Sequence, residues 1–375
     1  MGINEPESLT VLRQHRLNEL QELKSQGTRL IGYFCLYVPV EIVRAAGAVP
    51  VRLARADYPS SVAGEQLLRV DACPFCKSSL GLFNSDPLYQ QLDGVIFVNT
   101  CDMMRRLPEL VATRVRIPVF QLYLPRTSEP VPSRIAEFTR QLNRLTEFLS
   151  HLTGTTPDRE RLLAAISTEN QLRSKLRALE MLRAVPGSGL KTSRFFDLIA
   201  LATLLAPEQT LTLISEIINP PTPPAVDECQ PRLLLAGSIV AESDRDLLNL
   251  IEERAAIVAD VICTGARLVE GEVETTAEPL TALARYYFGR IPCACRRPND
   301  RLYQHIQQLI EQRRVQGIVY QTLLYCDPWR FEARDLRRWT GLPMLEIDHD
   351  YSRQNYEQLR TRIEAFVEML CSLKR

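Results

Sequence analysis

Lysine is scarce in this chain. It stands only at positions 24, 77, 175, 191 and 374, so arginine carries nearly all the basic charge. No basic cluster accompanies that bias, and an arginine-rich composition is enough to explain it. Net charge is lacking as well. Lys+Arg and Asp+Glu number 45 each, which leaves no field of one sign to hold a nucleic acid or an anionic membrane, so neither partner is expected. The longest apolar stretch, around Leu198 to Leu205, is far short of a membrane span. The amino terminus (Asn4, Glu5, Glu7, Arg13, Arg16, Glu19) is polar and has no signal-peptide core. It begins Met-Gly, but Pro6 stands where an acylation signal wants Ser or Thr. A cytoplasmic protein is the simplest expectation. Histidine is limited to four residues that form no catalytic constellation, and His349 between Asp348 and Asp350 reads as a supporting polar cluster. There is no Walker loop. Pro186 to Thr192 resembles a phosphate loop in composition only, without the spacing or the preceding strand, so any use of ATP must belong to a partner.

What is present is ordinary in bulk. With 375 residues, 45% apolar and 24% charged, the chain suits a soluble protein of two domains, each long enough to bury a core. The exception is cysteine, of which there are ten. In a reducing compartment these are better read as metal ligands or redox groups than as structural disulfides.

Two stretches organise the rest. Asp93 to Asp102 is an apolar run that stops on Cys101-Asp102, and Gln316 to Asp327 repeats the sense, with Gly317, a strand-length apolar run and Cys326-Asp327. Runs of this kind, rich in Val and Ile, read as strands of a parallel sheet buried on both faces. Ligands of such sheets sit beyond the carboxyl ends of the strands, where both cysteines would lie. Strands are also expected at Arg29–Cys35, Ala48–Leu53 and Ile117–Leu122, with helices over 8–26 and 39–46, from just after Lys77 to Phe83, and over 104–111. A second series follows: strands at 232–237, 256–261 and 341–347, and helices at 244–254, 279–288, 302–313 and 355–373. Between them, 132–219 shows helical periodicity without strands, and Pro220-Pro221-Thr222-Pro223-Pro224 is a stiff spacer. The expected architecture is α/β: two similar flavodoxin- or Rossmann-like lobes with parallel sheets, residues 1–131 and 225–375, joined by a helical connection over 132–224.

Cys229 and Cys371 read as ordinary small hydrophobes. The other eight lie at expected strand ends or just beyond: Cys35, Cys73, Cys76 and Cys101 in the first lobe, Cys263, Cys293, Cys295 and Cys326 in the second. Three chemistries compete for them. Zinc favours compact pairs, and Cys73-x-x-Cys76 would make one knuckle, but Cys293-x-Cys295 has the wrong spacing for its partner. A thioredoxin-like dithiol at Cys73 and Cys76 leaves six cysteines unexplained. Iron-sulfur ligation tolerates the scatter, because strand ends can deliver thiolates from distant parts of a chain.

Gly32-Tyr33-Phe34-Cys35, Val38-Pro39-Val40-Glu41 and Ala45 to Leu53 resemble the opening of the 2-hydroxyacyl-CoA dehydratase family, which includes component D and benzoyl-CoA reductase-like proteins. Cys73-Pro74-Phe75, Lys77-Ser78-Ser79, Thr100-Cys101-Asp102, Cys263-Thr264-Gly265, Pro292 to Cys295, Pro298-Asn299-Asp300 and Gln358 to Leu370 continue the resemblance in order over nearly the whole chain. It implies a cubane at the lobe interface, with Cys73, Cys101 and Cys326 matching the ligands of a single 4Fe-4S cluster. An ATP-hydrolysing iron-sulfur activator would supply one low-potential electron, and a 2-hydroxyacyl-CoA would lose water through a ketyl radical. The double-cubane branch of the family is the closer match. Its members are homodimeric reductases of small molecules in anaerobic metabolism, in which two cubanes share a sulfide. Here Cys35, Cys263 and one of the Cys293/Cys295 pair, with Cys295 the expected thiolate, would add the further three ligands. A dehydratase subunit with one cluster and a non-enzymatic cluster carrier are the alternatives. The chain departs from the family at Met103 to Arg106, where a glycine and lysines are usual, and Gly187-Ser188-Gly189 matches a Ser-Gly element only loosely.

Overall fold

A computed structural model describes residues 6–218, 230–352 and 354–373. The Met-Gly start, the proline spacer at 220–224 and Cys229 lie outside the described residues.

The first lobe begins with α1 (Pro6–Ser25), closed by Gly27 at φ +94°, and continues with β1 (Leu30–Tyr33), α2 (Val40–Ala45) and β2 (Val49–Arg52). Next come α3 (Tyr58–Gly64), α4 (Pro74–Ser85), α5 (Pro87–Gln90), β3 (Gly94–Val98), α6 (Asp102–Leu110) and β4 (Val119–Leu122). Four helices then follow without a strand: α7 (Pro132–Thr153), α8 (Arg159–Arg183), α9 (Thr192–Ala202) and α10 (Pro207–Ile218). The second lobe comprises β5 (Arg232–Gly237), α11 (Arg245–Glu252), β6 (Ala256–Asp260), α12 (Pro279–Gly289), α13 (Asp300–Arg313), β7 (Gly317–Leu323), α14 (Asp327–Thr340), β8 (Met344–His349) and α15 (Tyr356–Leu373).

The two sheets have one design. Their orders are β2-β1-β3-β4 and β6-β5-β7-β8, and every pairing is parallel. The central strands are apolar runs because both faces are covered. Ile31, Tyr33, Ile96 and Val98 meet Phe138, Leu142, Leu283 and Phe288 on one face of the first sheet. Leu30, Val95 and Phe97 meet Leu20, Phe75, Leu80 and Phe83 on the other. The second sheet divides its residues in the same way. Leu233, Leu235 and Val319 face Phe195, Leu248 and Phe366, while Leu234, Ile318 and Tyr320 face Leu302, Ile306 and Trp329. Burying such a side chain contributes roughly 1.5–3 kcal/mol, so this alternation fixes the register of each strand.

The expected α/β architecture of two similar lobes is the observed one, and the helical segment between them was also expected. Three helices were not. α3 and α5 are too short to show periodicity, and α14 begins at Cys326-Asp327-Pro328, where the sequence marks only a strand end. Strand order reverses between β1 and β3 and again between β5 and β7. That reversal opens a crevice at the carboxyl edge of each sheet.

Candidate metal centre

Cys101 and Cys326 both lie just past the third strand of their lobe, and each is the N-cap of the next helix, α6 or α14. Cys73 is the N-cap of α4. All three therefore stand where helical N–H groups have no partner within the helix and the dipole favours negative charge. The Met104 N–H donates to Cys101 Sγ at 3.5 Å. Backbone N–H groups of Phe75 and Cys76 favour the Cys73 thiolate, and that of Trp329 favours the Cys326 thiolate. Cys73, Cys76, Cys101 and Cys326 pack in one cluster, which forms a first nest of thiols.

The surrounding loops are pinned. Asn99 accepts from the Leu124 N–H at 2.7 Å and donates to the Leu124 carbonyl at 3.2 Å, which ties the Cys101 loop to the end of β4. Under Cys326, Gln321 donates to the Ser238 and Ile239 carbonyls at 2.9 and 3.0 Å. His349 meets Gln321 Oε1 at 2.8 Å and lies 3.5 Å from Asp244. This is the supporting polar role expected of it, although its main partner, Gln321, is far from it in sequence.

A second nest forms from Cys35, Cys263, Cys293 and Cys295. Cys35 follows β1 by two residues, and Cys263 follows β6 on a turn held by a fully buried carboxylate. Asp260 accepts from the N–H groups of Ile262 and Ala266 at 3.0 and 2.9 Å and is paired with Arg183 at 2.8 Å. The Cys293–Cys295 loop is clamped across the lobe boundary. Tyr37, two residues beyond Cys35, accepts from the Cys293 N–H at 3.0 Å. Arg296 is 1% exposed and donates to the Thr127 carbonyl at 2.7 Å and the Phe288 carbonyl at 2.8 Å.

The two nests adjoin. Cys293 packs with Cys35 and Cys263 in one cluster and with Cys326 in another. Cys101 and Cys326 both feel the charge of Cys293, and Cys295 feels that of Cys35 and Cys101. All eight cysteines singled out in the sequence are thus brought together, while Cys371 is exposed on α15. Burial pushes the Cys35 and Cys101 thiols up to about 12. Cys293 is pulled down to about 5, first by a hydrogen bond from Cys295 and also by Arg267. Cys73 is likewise lowered by its hydrogen bond with Cys76, whose own thiol is raised.

The donor set fits an iron-sulfur group. Buried thiols that resist ionisation become thiolates when a metal cation takes the place of the proton. The donors that gather here are mainly soft sulfur, with the buried Tyr351 hydroxyl beside the first nest. Among the described residues no three His, Cys, Asp or Glu side chains close around a point as they would around one ion. A cubane instead spreads its thiolates around a cube of four irons. A cleft of about 160 Å³, lined by Arg52, Arg55, Phe196, Ile199, Val240 and Thr264 among others, opens beside the second nest.

Sequence reasoning missed the supports: Tyr37, Arg52, Asp260, Arg267, Arg296 and Gln321. Arg52 gave one signal, a charge at the end of the apolar run Val49 to Val51. The glycine pair at 187 and 189 sits in the loop before α9, where the N–H of Ser193 donates to Glu252 at 3.1 Å. The Thr192 N–H is bound to the same carboxylate, so this helix start is filled from within the chain.

Residues 35–370 match the family described as 2-hydroxyglutaryl-CoA dehydratase, D-component. A proposed dehydratase subunit of Escherichia coli (strain K12), YjiM, is 29% identical over 370 residues, covering 96% of both chains. The (R)-phenyllactyl-CoA dehydratase beta subunit of Clostridium sporogenes is 25% identical over 364 residues, 94% of each chain. A benzoyl-CoA reductase subunit of Thauera aromatica is 23% identical over 317 residues, 80% of this chain and 79% of its own.

Proposed function

This chain belongs to the 2-hydroxyglutaryl-CoA dehydratase, D-component, family, and on that footing we propose that it is an iron-sulfur enzyme of the reductase type. In this reading it carries a double cubane and accepts low-potential electrons from an ATP-hydrolysing iron-sulfur activator. The family contains enzymes of the dehydratase and reductase types. The observation that carries the reading is the gathering of cysteines from both lobes into two adjoining nests, seven of them packed in shared clusters and Cys295 bonded to Cys293.

Cys73, Cys101 and Cys326 would hold one half of the group, and Cys35, Cys263 and Cys295 the other. Cys293 lies beside Cys295 in the same binding set. When bound, such a group supplies electrons at low potential to a substrate. The chain's own residues do the rest. Helix N-termini and backbone N–H groups favour thiolates in the first nest, and arginines do so in the second. Tyr37, Asp260 and Arg296 keep the second nest's loops in place. The cleft of about 160 Å³ beside Arg52 and Thr264 has room for a small molecule or the acyl end of a thioester. No helix among the described residues is long and apolar enough to cross a membrane. We further take the active form to be a homodimer in the cytoplasm.

A dehydratase subunit with a single 4Fe-4S cluster is the second reading. It draws support from the three N-capping cysteines, which make a self-contained nest. Anaerobic purification with iron and sulfide analysis separates the two. About eight irons per chain is the expected result, because a double cubane joins two four-iron cubes. About four would favour the dehydratase subunit.

A further inference from the structure

The nests differ in how they meet negative charge. In the first, three cysteines cap helices and the compensating groups are mainly backbone N–H donors. Lys77 is the cation felt by Cys73, and its ammonium is already committed to Glu65 at 2.7 Å and the Val70 carbonyl at 3.1 Å. In the second nest no cysteine caps an α-helix. Besides the backbone N–H groups of Tyr37 and Cys295, which favour the Cys35 and Cys293 thiolates, two arginines stand there, Arg52 at 8% exposure and Arg267 at 2%.

Both are only partly used by the protein. Arg52 Nη2 donates to the Cys263 carbonyl at 3.4 Å, and its guanidinium lies 5.5 Å from the centre of the Tyr33 ring. Its Nε and Nη1 have no hydrogen-bond partner. Arg267 Nη2 donates to the Ile291 carbonyl at 2.9 Å, and again Nε and Nη1 have none. Clamping a loop accounts for one nitrogen of each side chain. Leaving such buried nitrogens unpaired costs about 1–3 kcal/mol per group, more for a charged one, so an acceptor is indicated. Their electrostatic partners include sulfur: the Arg52 side chain acts on the Cys35 and Cys263 thiols, and that of Arg267 on Cys263 and Cys293.

We propose that Arg52 and Arg267 are the counter-charges of the second nest, donating their free N–H groups to the anionic sulfur of the group held there. This gives that half the higher reduction potential. The inference rests on the iron-sulfur reading. Positive charge and hydrogen bonds at sulfur stabilise the reduced state. An added electron therefore rests on the side of Cys35, Cys263 and Cys295, next to the cleft that Arg52 also lines.

The test uses the full chain, reconstituted anaerobically, as wild type and as Arg52→Gln, Arg267→Gln, Arg52→Lys and Arg55→Gln. Iron and sulfide are counted, and a dye-mediated titration followed by electron paramagnetic resonance gives the midpoint. Both glutamine variants should titrate at more negative potential, and Arg52→Lys should stay near wild type. Arg55→Gln, a cleft arginine ion-paired with Asp86 and Glu242, should not shift. If Arg52→Gln loses iron but Arg52→Lys keeps it, the charge is still the cause. Loss in both makes Arg52 a packing residue and overturns its role. A wild type loaded with about eight irons whose glutamine variants titrate unchanged overturns the inference alone, whereas about four irons per chain removes the double-cubane reading on which it rests. A wild type without iron removes the functional reading together with it.

Discussion

Cys101 and Cys326 occupy one position in two copies of the same sheet: each follows the third strand of its lobe and caps the helix that leaves it. The Cys101 thiol accepts the backbone N–H three residues on, that of Met104, at 3.5 Å, and the Trp329 N–H, three residues beyond Cys326, favours that thiolate without forming a capping hydrogen bond. The relationship is a property of the topology. The middle strand beside the switch point delivers its end into the crevice, and two lobes facing each other deliver two thiols.

Replacing either cysteine should therefore remove metal without unfolding the chain. Both residues are partly buried, so Cys101→Ala and Cys326→Ala should cost only about 1 kcal/mol of stability. Iron per chain should fall sharply, with affinity lower by a factor of 10–100 or more on the scale seen when a metal site's supports are lost. Circular dichroism should keep its helical signal. Wild-type iron in both variants would contradict the assignment.

Cys35→Ala and Cys263→Ala separate one cubane from two. If the second nest holds half of a double cubane, each substitution should reduce bound iron from about eight toward about four per chain while the first nest stays loaded. If only the first nest binds metal, iron per chain will not change.

Much of this arrangement was legible in the chain. The apolar runs ending at Val98 and Leu323 specify buried parallel strands, and that fold class already sends Cys101 and Cys326 to a functional edge. The gathering of all eight cysteines was less visible, because Cys293 and Cys295 reach the site on a loop that no periodicity describes. Its position depends on Tyr37 and on Arg296 reaching Thr127, contacts between segments far apart in sequence. α3 was illegible for a local reason. Seven residues are too few for a helical pattern, although Asp57 caps the helix and Pro59 opens it, and the helix packs closely on α4.

That packing carries the next expectation. A Cβ at Gly81 would lie 2.1 Å from the Ser60 carbonyl oxygen, and one at Gly64 would lie 2.0 Å from that of Lys77. Alanine is the better helix former by about 1 kcal/mol. Forcing two backbones apart costs about 1–3 kcal/mol or more, so the clash wins. Gly81→Ala should lower the denaturant midpoint and weaken iron retention, since α4 carries Cys73 at its start. An unchanged midpoint would mean that α3 shifts freely.

A pH effect is expected at His305 on α13. Burial holds its imidazole below the ordinary value of 6.5, against the pull of Glu270 at 3.7 Å. The unfolded chain then binds the proton more readily than the folded one. Stability from this group is complete above 6.5 and falls as pH drops from there toward the folded value. Urea titrations of the wild type should weaken over that window, and His305→Gln should flatten the trend. An identical slope in the variant would rule the residue out.

Glu41, Arg173 and Tyr287 join the elements that carry the second nest. Glu41 lies on α2 just after Cys35, Tyr287 on α12 just before Cys293, and Arg173 on α8 between them. Arg173 is ion-paired with Glu41, Tyr287 donates to the same carboxylate at 2.8 Å, and Arg173 meets the tyrosine hydroxyl at 3.1 Å. The Glu41 side chain is 0% exposed. Arg173→Met would leave that charge buried and unpaired, at a cost of about 3–5 kcal/mol. Adding Glu41→Gln should return most of the loss, because the remaining groups are neutral. The cycle is read from urea midpoints, with iron per chain measured alongside. Recovery of both signals in the double variant would show that the charge pair spaces the Cys35 and Cys293 loops. A double variant as unstable as the single one would place the cost in lost packing of the arginine stem against Tyr286 and Tyr287, over whose rings the guanidinium lies at 4.7 and 5.9 Å.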